Sequence, residues 1–499
     1  MKKYFTFLTL ILLLACSISQ NKISTLVITI ENQPTNLDPR VGTDSASQRL
    51  HQIIFSGLLV RNERDELKPL LAEKWERIND RTFIFHLKRG IKFHNGKVLD
   101  SEDVKYTFQS FLDENFISLR KQAFNLLEKV EIIDKWTVKF VLKTPYSSFL
   151  INLTVGIVPK GAGEDFHKKP IGTGPFKFIS LDSEKIVLEA FPDYFEGKPK
   201  IDRLIIRIIP DAMTRALELK KGSVDLGLNV LPPDLIRFLS KDKKLKILTA
   251  PGTTYYYLGI NLRDPVLKNK KVRQAIAHAI NRKEIISNIM RGFARPANSV
   301  LSPNNWAYEG NLKEYEYNPE KAKKLLDEAG YPQRGRKPRF KIVYKTSNSS
   351  FGRQLGLIIK DNLRKVGIDV EIKSYEFATF YSDIIKGNFQ IYSLRWIGVS
   401  DPDIFYNLFH SRNLPPKGAN RVGYNNPIID KLIERARTTY DINERKKLYS
   451  QIQKIIAEDL PYISLFYGDN IAIMNKKVQG VKLYPAGDFT FLKNVWIEK

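Results

Sequence analysis

A single cysteine, Cys16, in a chain of 499 residues means that neither an intramolecular disulfide nor a thiolate metal cluster can hold this fold together. Order must come from buried apolar surface and hydrogen bonds. At about 150 residues per domain the length predicts roughly three cores, and a 43% share of hydrophobic residues supplies the apolar surface to build them. The first segment belongs to none of them. Lys2 and Lys3 precede an apolar run from Phe5 to Ala15, shorter than the about 20 residues a membrane span needs, so residues 1–15 read as a secretory signal peptide.

The position of the cysteine says more than its number. Leu13-Leu14-Ala15-Cys16 resembles the lipobox of bacterial lipoproteins, in which the thiol is alkylated by a diacylglyceryl group and becomes the first residue after cleavage. Two or more acyl chains, at about 0.8 kcal/mol per buried CH₂, give a stable membrane anchor. The folded part is then expected outside the cytoplasm, on a tether over residues 16–25 with lipidation at Cys16. The formal charge is +26, or +24 once Lys2 and Lys3 leave with the signal. Its cations are spread along the whole length, with only short clusters such as 268–271 and 334–341. That is a solvated basic surface, not the concentrated stripe of a nucleic-acid binder.

Along the chain, apolar periodicity alternates between strand and helix. Leu26–Ile30 reads as a strand, Asn95-Gly96 as a turn, and a helix starts at Asp100 or Ser101 with Val104, Phe108, Phe111 and Leu112 on one face. Asn318 and Pro319 open another helix, which Gly330 stops. Leu355, Ile359, Leu363 and Val366 form one helical stripe, Gly367 ends it, and Ile368, Val370 and Ile372 alternate into a strand. Asn426-Pro427 opens a further helix with Ile429, Leu432, Ile433 and Ala436 inward, and Leu448, Ile452 and Ile455 mark one more.

The stretch Phe389–Tyr406 is the candidate ligand contact. It begins as a half-buried strand and breaks at Gly398 and Pro402, and a strand ending in a polar turn is a common place to hold a small molecule. Arg395 and Trp396 are expected to put a fixed charge and a flat apolar face side by side, with Asp401 and Asp403 just beyond. No catalytic group accompanies them. The chain contains no G-x-S-x-G elbow, H-E-x-x-H pair or P-loop. Its six histidines are isolated, the closest pair being His86 and His94, so no metal site and no cofactor are expected. Pro402 between Asp401 and Asp403 points to turn chemistry, not acid–base work.

These segments carry a family resemblance. The run Leu71–Phe108 resembles the signature region of the extracellular solute-binding proteins of the peptide and nickel class, the receptors of oligopeptide and dipeptide ABC importers. The likeness recurs in order at 170–176, 217–225, 272–282, 318–332 and 460–481. It implies an α/β, two-lobed periplasmic-binding-protein fold of type II, with an additional inserted domain and a two-strand hinge. The segments 23–55, 170–260 and 466–499 would make lobe I, 56–169 the insert, and 261–465 the opposite lobe. The crossings are expected near Tyr257–Asn261 and Leu465–Tyr467, with closure over a ligand as the motion.

The resemblance also implies how a ligand is held. Peptide receptors of this class take a peptide as an added strand, which makes Asn32–Thr35, with Asn32 and Gln33, and Ser393–Gly398 the backbone partners. Trp396 matches the family's cleft tryptophan. An aspartate three residues later, which pairs with the peptide's α-ammonium group, is replaced here by Val399, and Asp401 substitutes only if the shortened turn swings it inward. Arg353 aligns with a carboxylate-binding position of dipeptide receptors, and Tyr255, Tyr256 and Arg395 are further cleft candidates. The expectation is a monomeric, lipid-anchored receptor that passes a peptide or peptide-like solute to a membrane permease. The alternative is a surface protein on the same fold that engages host factors, peptidoglycan fragments or a chaperone client.

Overall fold

The computed structural model of the chain describes residues 23–498; the signal peptide, the lipobox and Cys16 lie outside the described residues. One eleven-stranded sheet runs through the molecule. Its strands are β1 (Thr25–Ile30), β2 (Phe176–Leu181), β3 (Lys185–Ala190), β4 (Arg203–Ile208), β5 (Leu226–Leu228), β6 (Leu245–Ile260), β7 (Ala294–Pro296), β8 (Phe340–Ser347), β9 (Ile368–Tyr375), β10 (Ile391–Trp396) and β11 (Tyr462–Asn475). The order across the sheet is β9-β8-β10-β6-β11-β5-β1-β4-β3-β2, with β7 also paired to β11. β1 lies parallel to β4 and buries Leu26, Ile28 and Ile30, as its alternation predicts.

Two long antiparallel strands join the halves of this sheet. β6 and β11 pair from Leu245 opposite Asn475 to Gly259 opposite Tyr462, and their register breaks twice, between Ala250 and Thr254 and again between Tyr256 and Tyr257. Apolar residues on either side of this stretch belong to separate cores. One gathers Leu26, Leu204, Leu226, Met474 and Val495, the other Leu258, Ile276, Leu326, Leu355 and Leu465. The second break lies at the start of the expected crossing, Tyr257–Asn261, and the first lies upstream of it, around Pro251 and Gly252. Pro251 has no N–H to give the ladder, and a Cβ on Gly252 would collide with the Gly468 carbonyl oxygen, so irregular backbone settles there.

Residues 58–157 contribute a core of their own, built on a four-stranded antiparallel sheet in the order Ala72–Asn79, Thr82–Leu87, Thr137–Leu142, Leu127–Asp134. Helix α1 (Ser45–Ile54) precedes it and α2 (Ser101–Gln109) covers it. Asp100 caps α2 in a reciprocal box with Asp103, which places Phe108 edge-on to Phe140 at 5.1 Å. The opposite half carries α3 (Pro319–Glu328), α4 (Ser350–Arg364), α5 (Phe377–Ile385), α6 (Pro427–Thr438) and α7 (Ile442–Asp459). Asn318 and Asn426 cap α3 and α6 as expected, and Gly330 and Gly367 take φ of 89° and 84°, which only glycine adopts cheaply. Leu355, Ile359, Leu363 and Val366 are all buried.

Candidate ligand-binding site

β10 ends at Trp396, whose Cα partner on β6 is Tyr255. Successive residues of a strand point to opposite faces, so Arg395 and Trp396 are back to back and not side by side, which corrects the expectation from sequence. Arg395 is exposed, and its Nη1 donates to the Tyr256 hydroxyl at 2.9 Å. Tyr256 in turn stacks on Phe466 at 4.5 Å and meets Phe351 of α4 at 5.4 Å. Arg353, two residues further along α4, is exposed and donates to the Asn348 carbonyl oxygen. Arg395, Tyr256 and the start of α4 therefore share one face.

On the other face Trp396 is half-buried against a core that includes Tyr255, Tyr257, Tyr392 and Val399. The Arg421 guanidinium lies 4.7 Å from the indole centroid and 5.3 Å from that of Tyr381 on α5, a cation–π arrangement. Its terminal nitrogens donate to the Tyr257 and Tyr381 hydroxyls at 3.2 and 3.0 Å. Trp396 Nε1 and Arg421 Nε are both buried without a hydrogen-bond partner among the described residues. Tyr255 is a core residue here: it is 1% exposed and its hydroxyl is 2.7 Å from Ser464 Oγ. Gly398 takes φ 63°, and a Cβ there would sit 3.7 Å from that of Ala486, so the turn after Trp396 meets the C-terminal segment.

Asp401 and Asp403 turn toward the 58–157 unit. Ser148 Oγ donates to Asp401 Oδ1 at 2.8 Å, and the Tyr146 hydroxyl donates to Asp403 Oδ2 at 2.9 Å. Around them, Ser147 N donates to the Arg437 carbonyl oxygen at 2.7 Å and Arg445 Nη2 to Ser148 Oγ at 3.1 Å. Arg437 Nε lies 2.9 Å from Asp403 Oδ1 but makes no hydrogen bond of good geometry there, so the pair is held by charge. Burial nevertheless pushes the Asp403 carboxyl up to about 7. Val399 itself is buried in apolar company. Asn32 and Gln33 are exposed in the bend that follows β1, and their neighbour Glu31 helps to raise the Arg395 pKa, after Tyr256 and against burial.

The nine expected contact residues are thus divided among the two faces of β10, the turn after it and the bend after β1, with Arg395 hydrogen-bonded to Tyr256 and Trp396 opposite Tyr255. Arg421, Tyr146 and Arg437 escaped the sequence reading because each acquires its partners through long-range packing, with no periodic or motif signal beside it. Among the described residues no group of three or more His, Cys, Asp or Glu could hold a metal ion, and no helix is long and apolar enough to cross a membrane.

Comparison with known proteins gives this geometry its context. Residues 66–414 match the model of bacterial extracellular solute-binding proteins, family 5 middle region. The chain is 31% identical to the oligopeptide-binding protein AppA of Bacillus subtilis, over 95% of this chain and 92% of that one. The structure of B. subtilis AppA in complex with a nonapeptide superposes with a TM-score of 0.81, 31% identity and coverage of 95% and 99%. NikZ of Campylobacter jejuni in complex with Ni(L-His) gives a TM-score of 0.83 at 28% identity over 95% and 99%. The chain therefore belongs to the bacterial extracellular solute-binding proteins of family 5, binders and not enzymes, and has their two-lobed α/β fold.

Proposed function

We propose that this protein is a lipid-anchored receptor of an ABC importer, which captures a peptide or peptide-like solute by closing two lobes and delivers it to a membrane permease. In this reading 23–55, 170–260 and 466–499 form the first lobe, 56–169 the insert and 261–465 the second lobe. The observation that carries it is the β6–β11 ribbon, which is broken in register at Ala250/Thr254 and at Tyr256/Tyr257 between two separate cores. A pair of strands made irregular over a short stretch can bend there as a hinge without parting the sheet. The likeness to AppA supports peptide as the cargo class. The likeness to NikZ in its Ni(L-His) complex and to the heme-binding protein A of Haemophilus influenzae is why the class is kept as wide as peptide-like.

Trp396 is assigned to the cleft wall and Cys16 to the lipid anchor. Calorimetry of the mature protein against pools of random tri- to pentapeptides, combined with small-angle scattering, tests the receptor reading. Saturable heat with a fall in radius of gyration is the expected result. A protein that neither binds any pool nor contracts is not an importer receptor of this kind, and the surface-interaction reading would replace it.

A further inference from the structure

A cavity of about 170 Å³ lies between α1, the 58–157 unit and the C-terminal segment, away from the residues that the sequence singled out. Arg120 forms part of its wall. It stands on the short 3₁₀ turn Leu119–Phe124, which Ser118 caps by accepting from Arg120 N at 3.0 Å. Its Nη2 donates to the Gly42 carbonyl oxygen at 3.0 Å, while Nε is buried without a partner. Among the described residues no carboxylate lies within ion-pair distance of it.

The other cations of the wall are answered. Arg61 pairs with Asp65 at 3.1 Å and Lys493 with Glu196 at 2.7 Å. His51 adds no charge, because burial and the nearby Arg120 hold its pKa down to about 3, and its Nε2 is 3.1 Å from the Asn36 carbonyl oxygen. Asp488 is the acid on the wall, and it faces Arg61. A guanidinium that is largely buried, unpaired and next to open volume costs several kcal/mol unless an anion joins it. Arg40, equally basic and close by, has its own answer in Asp38 at 2.7 Å.

We propose that this cavity receives a carboxylate of the solute, with Arg120 as its partner through the terminal guanidinium N–H groups that Gly42 leaves free. The inference rests on the receptor reading and deepens it. Arg–carboxylate geometry favours such a fork. The cavity also connects with closure: Asp65, the partner of Arg61, sits against Ser400 in the turn after Trp396. A solute that reaches from Trp396 into the cavity would bridge the two lobes. Its acidic end would then be the recognised one, consistent with Val399 standing where an ammonium anchor would be.

Three probes separate the sources of the carboxylate. They are random tetrapeptide pools without Asp or Glu carrying a free C-terminus, the same pool amidated, and an amidated pool with one Glu per peptide. Wild type should bind one of the two carboxylate-bearing pools at least tenfold more tightly than the carboxylate-free amide pool. Arg120→Gln should lose that discrimination, while Arg120→Lys, which keeps the charge, should retain part of it; thermal melts check that both variants are folded. Equal affinity of wild type for all three pools, or discrimination that survives in Arg120→Gln, overturns the inference and leaves the receptor reading standing. No binding of any pool by wild type overturns both.

Discussion

The Tyr146 hydroxyl donates a 2.9 Å hydrogen bond to Asp403 Oδ2, joining the 58–157 unit to the turn that follows Trp396. Ser147 and Ser148 add bonds to Arg437, Ala436 and Asp401, and the Tyr440 hydroxyl reaches back to the Asp80 carbonyl oxygen at 2.8 Å. Asp403→Ala should therefore be costly, because it leaves the Arg437 guanidinium buried and unpaired. We expect a loss of about 3–5 kcal/mol by chemical denaturation. Tyr146→Phe, which removes one hydrogen bond, should cost about 1–2 kcal/mol.

The same carboxyl sets a pH dependence. Its folded pKa of about 7 lies above the ordinary 3.8, so the folded state favours the protonated form. Its contribution to stability is fully present below about 3.8 and is lost as pH rises through about 7, by at most about 1.4 kcal/mol per unit. Groups facing it are Arg437, Arg445, Asp401, Tyr146 and Tyr449. Asp403→Asn should flatten this part of the pH–stability curve; an unchanged slope between pH 4 and 7 would place the titration elsewhere.

Trp396→Ala removes the indole stacked on Arg421 and should weaken solute binding about tenfold, or about 1.4 kcal/mol. Trp396→Phe should lose less, since a flat ring remains for the guanidinium. Calorimetry with the best-binding peptide pool reads both, and equal affinity of wild type and Trp396→Ala would remove the indole from the binding surface.

At the hinge, Gly252→Ala drives a methyl group into the Gly468 carbonyl oxygen. Overpacking against backbone should cost about 1–3 kcal/mol and shift the scattering-derived radius of the ligand-free protein. A variant with wild-type melting and radius would move the flexing point away from residue 252.

Cys16→Ser should release the protein from the membrane fraction and abolish its labelling by fatty acid. Retention of both would mean that the chain is anchored by something other than a thioether-linked lipid.

Much of the architecture was legible because short-range chemistry dictates it. Asn318-Pro319 before Leu325-Leu326 can hardly be anything but a helix start, and Gly330 and Gly367 sit where a left-handed residue is required. The crossing near Tyr257–Asn261 came from the family resemblance and lies beside the register shift at Tyr256/Tyr257, whereas the larger irregularity at Pro251 and Gly252 depends on the partner strand and was not read from the sequence. Arg395 and Trp396 were read as partners, though the pleat of a strand sends neighbours to opposite sides. The Asp401–Asp403 turn was legible as a turn, but nothing in Asp-Pro-Asp announces that a tyrosine and a serine more than 250 residues upstream would meet it.

That one sheet spans both halves has a mechanical consequence. Closure of the proposed lobes would crease this sheet at the irregular stretch of the β6–β11 ribbon, while Tyr146 and Ser148 tie the 58–157 unit to Asp403 and Asp401. Opening and closing of the proposed receptor would then have to strain or carry along these contacts as well as bend the sheet.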